Sequence, residues 1–151
     1  MGYYMRFFDT SEKALSLGDI EDALRQVDPA YRLEPFEPDD ARRAALYLGD
    51  SLYAEIEINA PGDELFEAET GEMLEFLKEA MGAGRERVEG VLKSARRTVA
   101  VSVLGAGRTS EESLAGIDPL WVWLFSTRSG LLHADAEGFY DGNELILEET
   151  W

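Results

Sequence analysis

The sequence predicts an α+β fold: a single domain over residues 1–151, with a mixed, mostly antiparallel sheet and helices packed on one face. Three observations predict it. Hydrophobic period changes along the chain in the order β, α, β, β, β, α, then β, α, β, β. Short turns carrying Gly, Asp or Pro separate the segments, and no repeat, low-complexity tract or linker divides them.

The first element is "GYYMRFF" at 2–8, a strand with Tyr3, Met5 and Phe7 on one face and Tyr4, Arg6 and Phe8 on the other. A helix follows, capped by Ser16 with Asp19 three residues on; Ile20, Ala23, Leu24 and Val27 recur at helical spacing until Asp28-Pro29 stops it. "YRLEP" at 31–35 is short and extended, and the polar "EPDDAR" after it is a loop. Gly49-Asp50 then joins two strand-like runs as a hairpin. On its second arm Leu52, Ala54, Ile56 and Ile58 alternate with Tyr53, Glu55 and Glu57, so one side is buried and the other faces water or a partner.

Residues 63–81 place Leu65, Met73, Phe76, Leu77 and Ala80 at roughly helical spacing, with Gly71 a weak point. A shorter helical segment, "RERVEGVLKSA", leads into the apolar "TVAVSVL" at 98–104, which has the character of a central strand. "GAGRTS" is a loop before a helical stretch in which Asp118-Pro119 forms the expected cap and first turn. "LLHAD" and "ELILEE" are the closing strands.

Composition narrows the function. A chain of 151 residues that is 45% hydrophobic can bury a core without staples. It contains no cysteine, which removes disulfides, thiolate zinc sites and cysteine nucleophiles; one histidine cannot supply the imidazoles of the usual catalytic zinc sites. No cofactor or metal is expected. The longest apolar run, "PLWVWLF" at 119–125, falls short of the roughly 20 residues of a membrane span. The opening "MGYYMRFFDTSEK" lacks the features of a secretory leader, and Arg6 stands where a myristoylation signal needs Ser or Thr; a cytoplasmic protein is expected. Net charge is -17, from 31 acids against 14 bases, which disfavours nucleic acid and anionic lipid and favours a basic protein as partner. Acidity also serves plain solubility. The charge is uneven: residues 44–77 hold nine acids and no base, and residues 129–151 hold six acids and no Lys or Arg.

Four constellations bear on chemistry. "HADAEGFYDGNE" at 133–144 has the only histidine and four acids, but Gly138 and Phe139 break the oxygen pattern of a calcium loop. Its better reading is a hairpin turning at Asp141-Gly142-Asn143. Within it, His133, Asp135 and Glu137 are the candidates for general acid and base work if a cleft gathers them. Gly105 and Gly107 after a strand resemble the start of a dinucleotide loop, yet Ser110 replaces the third glycine and Glu111 and Glu112 would repel a pyrophosphate. A connection into a capped helix explains the same residues. Trp121, Trp123 and Phe125 read as core, with a partly exposed tryptophan able to anchor a partner. Arg96, Arg97 and Arg108 could hold an anion, although ion pairs within so acidic a chain are their commoner fate.

The leading expectation is a non-catalytic protein-binding module of inhibitor, immunity or adaptor type. Its acidic, aromatic-dotted surface would comprise Tyr53, Glu55, Glu57, Glu137 and Asp141. The alternative is a small enzyme or ligand-binding domain around His133, with or without a divalent metal; a homodimer joined through aromatic strands is a third reading.

Overall fold

A computed structural model describes residues 3–149. Along the chain it has β1 (Tyr3–Asp9), α1 (Leu17–Val27), β2 (Tyr31–Pro35), β3 (Arg43–Leu48), β4 (Ser51–Asn59), α2 (Glu64–Leu77), α3 (Arg85–Ser94), β5 (Arg97–Val103), α4 (Ser110–Thr127), β6 (Gly130–Ala134), β7 (Gly138–Asp141) and β8 (Glu144–Glu148). The strands form one sheet in the order β2, β3, β4, β5, β1, β6, β7, β8, and each neighbouring pair is antiparallel. This is an α+β fold.

The helices cover both faces of the sheet, which corrects the expectation of a single covered face. The cause lies in β1 and β6, which are apolar on both sides. Met5, Phe7 and Leu132 join a core with Ile20 and Leu24 of α1 and Ile117, Leu120 and Leu124 of α4. Phe8 and Leu131 point the other way, into a second core with Phe66, Met73 and Leu77 of α2 and Val88 and Leu92 of α3. A strand with large apolar side chains on alternate faces needs a helical layer on each.

The two layers are offset. α1 and α4 cover the sheet on one side, whereas α2 and α3 pack toward β1, β6 and β8 on the other, where Glu34 of β2, Arg43 of β3 and Glu55 of β4 stay exposed.

Local chemistry explains most boundaries. Ser16 and Asp19 form the expected reciprocal capping box at the start of α1. In α2 the buried stripe is Phe66, Glu69, Thr70, Met73 and Leu77, while Leu65 faces outward. α4 begins much earlier than Asp118-Pro119 predicts: Thr109 caps it, reciprocally with Glu112, and Pro119 sits inside the helix. Proline denies a partner to the carbonyl four residues back, but that carbonyl belongs to exposed Ala115 and can turn to water. Burial of Leu120, Trp121 and Leu124 carries the helix through.

β5 and β6 both flank β1 antiparallel to it, so they run parallel to each other with α4 as the crossover. Arg108, in the loop leading to that crossover, donates through Nη2 to the carbonyls of Leu52 (2.6 Å) and Leu104 (3.0 Å) and thus closes the loop. The last hairpin turns where expected, with Gly142 at φ 64° between Asp141 and Glu144, which pair.

Gly130 marks the tightest packing between strands. A Cβ there would lie 2.0 Å from the backbone oxygen of Phe8 and 3.0 Å from the Phe7 ring. Gly130→Ala is therefore expected to push β6 off β1 and destabilise the protein by about 2–3 kcal/mol, measured by urea unfolding. A loss under about 0.5 kcal/mol would show that the strand pair is more pliable than its geometry implies.

Candidate functional site

Two of the sequence candidates, His133 and Asp135, meet at Arg6 of β1. Arg6 pairs in register with His133 of β6, and both side chains lie on the α2 side of the sheet. The guanidinium donates to the carboxylate of Glu69 on α2, and Nη1 donates to Asp135 Oδ1 (2.9 Å) and contacts His133 Nδ1 (2.9 Å). The Tyr4 ring supports it, 4.2 Å from Cζ to the ring centroid.

These contacts fix the histidine tautomer. An arginine donates and never accepts, so Nδ1 must offer its lone pair and the ring proton must sit on Nε2. Nε2–H then donates to Glu149 Oε2 at 3.0 Å. The ring packs on Phe139, 4.8 Å between centroids, and is 1% exposed. Burial first and the neighbouring Arg6 charge second push the His133 pKa down to about 4, against a smaller opposing pull from Asp135.

The carboxylates are shifted the other way. Burial raises the pKa of Glu69 despite Arg6, and burial with the Asp135 charge raises that of Glu149. One arginine thus faces three acids around a neutral imidazole. With both ring nitrogens engaged, His133 has neither a free lone pair nor a free proton for a substrate. The group holds α2, β1, β6 and the segment after β8 together through buried polar contacts. Among the described residues no group of three or more His, Asp or Glu is arranged to hold a metal ion.

Glu137 is not part of this network. It accepts from the Tyr140 hydroxyl at 2.6 Å, raising the Tyr140 pKa to about 12, and lies on the α4 side of the sheet. The structure brings His133 and Asp135 within 3.8 Å and leaves Glu137 on the other side.

The five residues predicted to face a partner also divide. Glu55 and Glu57 stand together on the open half of the sheet, opposite Ser102 and Ala100 of β5. They line a shallow concavity of about 200 Å³ with Tyr4, Phe36 and Leu65, the last two 39% and 41% exposed. Arg43 pairs with Glu57 at 2.9 Å and lies over Phe36. Tyr53, which simple alternation puts beside them, turns to the opposite face, because the pairing with β3 slips by one residue there. Its ring packs against Gly116 of α4 beneath Arg108, 3.7 Å from the ring centroid. Asp141 is paired with Arg87 at 3.4 Å, away from the open face.

Glu69 and Glu149 are the residues the sequence reading passed over. Glu69 carried a signal: an acid three residues after Phe66 and four before Met73 sits in the buried stripe of its helix, where a charge needs a partner. Glu149 carried none, since its contact with His133 depends on the pairing of β7 with β8 carrying it, one residue past Glu148, to the turn after β6. Comparison of the chain with protein-family models, curated proteins and solved structures gives no match.

Proposed function

We propose that the protein is a non-catalytic binding module that docks a basic protein on the open half of its sheet, across β3, β4 and β5. The observation that carries this reading is the acid pair Glu55 and Glu57 set among Tyr4, Phe36 and, from the start of α2, the exposed Leu65. Apolar side chains there supply area to bury, and the carboxylates select the partner's charge. A net charge of -17 attracts a basic partner over longer range. The His133 alternative has less support, since its ring nitrogens are both occupied and buried.

The test starts from capture of basic proteins at low salt from lysate of the source organism, followed by calorimetry with the protein so identified. Glu55→Gln with Glu57→Gln should weaken binding about tenfold, or 1.4 kcal/mol, and flatten its salt dependence. Glu137→Gln with Asp141→Asn, which lie elsewhere, should leave it unchanged. Equal loss from both pairs, or from neither, would reject the open face as the docking surface. Light scattering that shows a doubled mass, abolished by Leu65→Asp, would assign the face to a second copy of the chain instead.

A further inference from the structure

The opposite side of the sheet carries a second, independent feature. Where α4 crosses β1, β6 and β7, a cleft of about 520 Å³ opens between them, walled by Met5, Trp121, Phe125, Leu132 and Tyr140. Its size falls in the range of small-molecule sites, and its walls are mostly apolar as such sites are.

Two residues that line this cleft carry a buried, unsatisfied hydrogen-bond donor. Tyr3 and Trp121 both line the cleft, and the hydroxyl of the one and the indole Nε1 of the other are buried with no hydrogen-bond partner among the described residues; Trp121 as a whole is 5% exposed. Folded proteins seldom leave such groups unpaired, because the lost hydration is not recovered. An indole N–H can only donate, so the missing partner is an acceptor. The tyrosine hydroxyl can donate as well.

Charge narrows the class further. Asp118 of α4 and Glu137 stand among the lining residues, with no basic side chain, and Glu137 already holds the Tyr140 hydroxyl. A carboxylate, sulfonate or phosphate would meet these acids without compensation in an apolar cleft. We propose that the cleft binds a small apolar molecule carrying a carbonyl or ether oxygen and no negative charge, with that oxygen accepting from Trp121 and Tyr3. The site is on the other face from Glu55 and Glu57 and does not depend on them.

The probe is Nile red, a neutral apolar dye with a carbonyl oxygen; anilinonaphthalene sulfonate, apolar but anionic, is the comparison. Nile red is expected to bind saturably at one site per chain with a blue-shifted emission, at least about tenfold tighter than the sulfonate dye. Tyr3→Phe keeps its ring and removes the donor; Trp121→Phe removes the donor together with the five-membered part of the indole, which also packs in the core. Each should weaken Nile red binding about five- to tenfold; Tyr3→Phe should leave the melting temperature equal or higher, since its hydroxyl is not bonded among the described residues, whereas Trp121→Phe should lower it through lost packing. Melting curves confirm that both variants fold. Binding untouched by both variants, no saturable binding, or equal affinity for the anionic dye would overturn the proposal.

Discussion

Replacing Asp9 by alanine is expected to destabilise the protein by about 3–5 kcal/mol, the largest loss from any single polar side chain described above. Asp9 is 0% exposed at the end of β1. Its Oδ2 accepts from Arg97 Nη1 at 2.5 Å and from Arg128 Nε at 2.7 Å, and its Oδ1 accepts from the backbone N–H of Ser11 at 2.9 Å. Arg128 is nearly as buried and also donates to the carbonyl of Lys13. Truncation would leave two guanidinium groups facing each other across a site that water barely reaches. Asp9→Asn keeps the volume and one acceptor but not the charge, and should fall between wild type and alanine. Urea unfolding of the three proteins checks the order, and a loss below about 1 kcal/mol for alanine would show that the arginines find other partners.

The second large effect is on pH dependence. His133 has its pKa lowered from 6.5 to about 4 on folding, so the unfolded chain takes up a proton between those values and the folded chain does not. Stability should therefore fall as pH drops through the window from about 6.5 to 4, by on the order of 3 kcal/mol from this group alone. Glu69 and Glu149 act in the opposite sense. Their raised pKa values make their charged forms unfavourable at neutral pH, and protonation on acidification relieves that penalty. The difference between wild type and His133→Gln isolates the histidine, because glutamine can accept from Arg6 and donate to Glu149 without titrating. Thermal unfolding measured from pH 7.5 to 4 should show wild type losing more stability than the variant. Parallel profiles would mean that folding leaves the titration of the ring unchanged.

Local patterns were legible in the sequence to the extent that they depended on neighbours in the chain. Ser16 with Asp19, the turns at Gly49 and Gly142, and the apolar β5 all follow from short-range chemistry, and the structure has them in place. Three features depended on distant partners and were not legible. α4 passes through Pro119 because the rest of the helix is buried against the sheet. Tyr53 changes face because β3 and β4 slip in register by one residue, which an alternating pattern does not record. The candidate site divided for the same reason. His133, Asp135 and Glu137 are close in sequence, but a turn with Ala136 at φ 65° sends Glu137 to the other side of the sheet, while Arg6 and Glu69 arrive from elements far along the chain.

The central place of β1 has a consequence for how the chain reaches this structure. β2, β3 and β4 pair with their sequence neighbours, and so do β6, β7 and β8. β1 has no such neighbour: Asp9 meets Arg97 across 88 residues, and its other edge waits for β6. During synthesis a strand bearing Tyr3, Tyr4, Met5, Phe7 and Phe8 must therefore stay unpaired until β5 has emerged, at elongation rates of about 5–20 residues per second. Such delayed, long-range pairing makes for slow folding and exposes a sticky strand in the interval. Arg6, in the middle of that strand, places the one charge that interrupts its apolar and aromatic run, and so guards against self-association before the sheet closes.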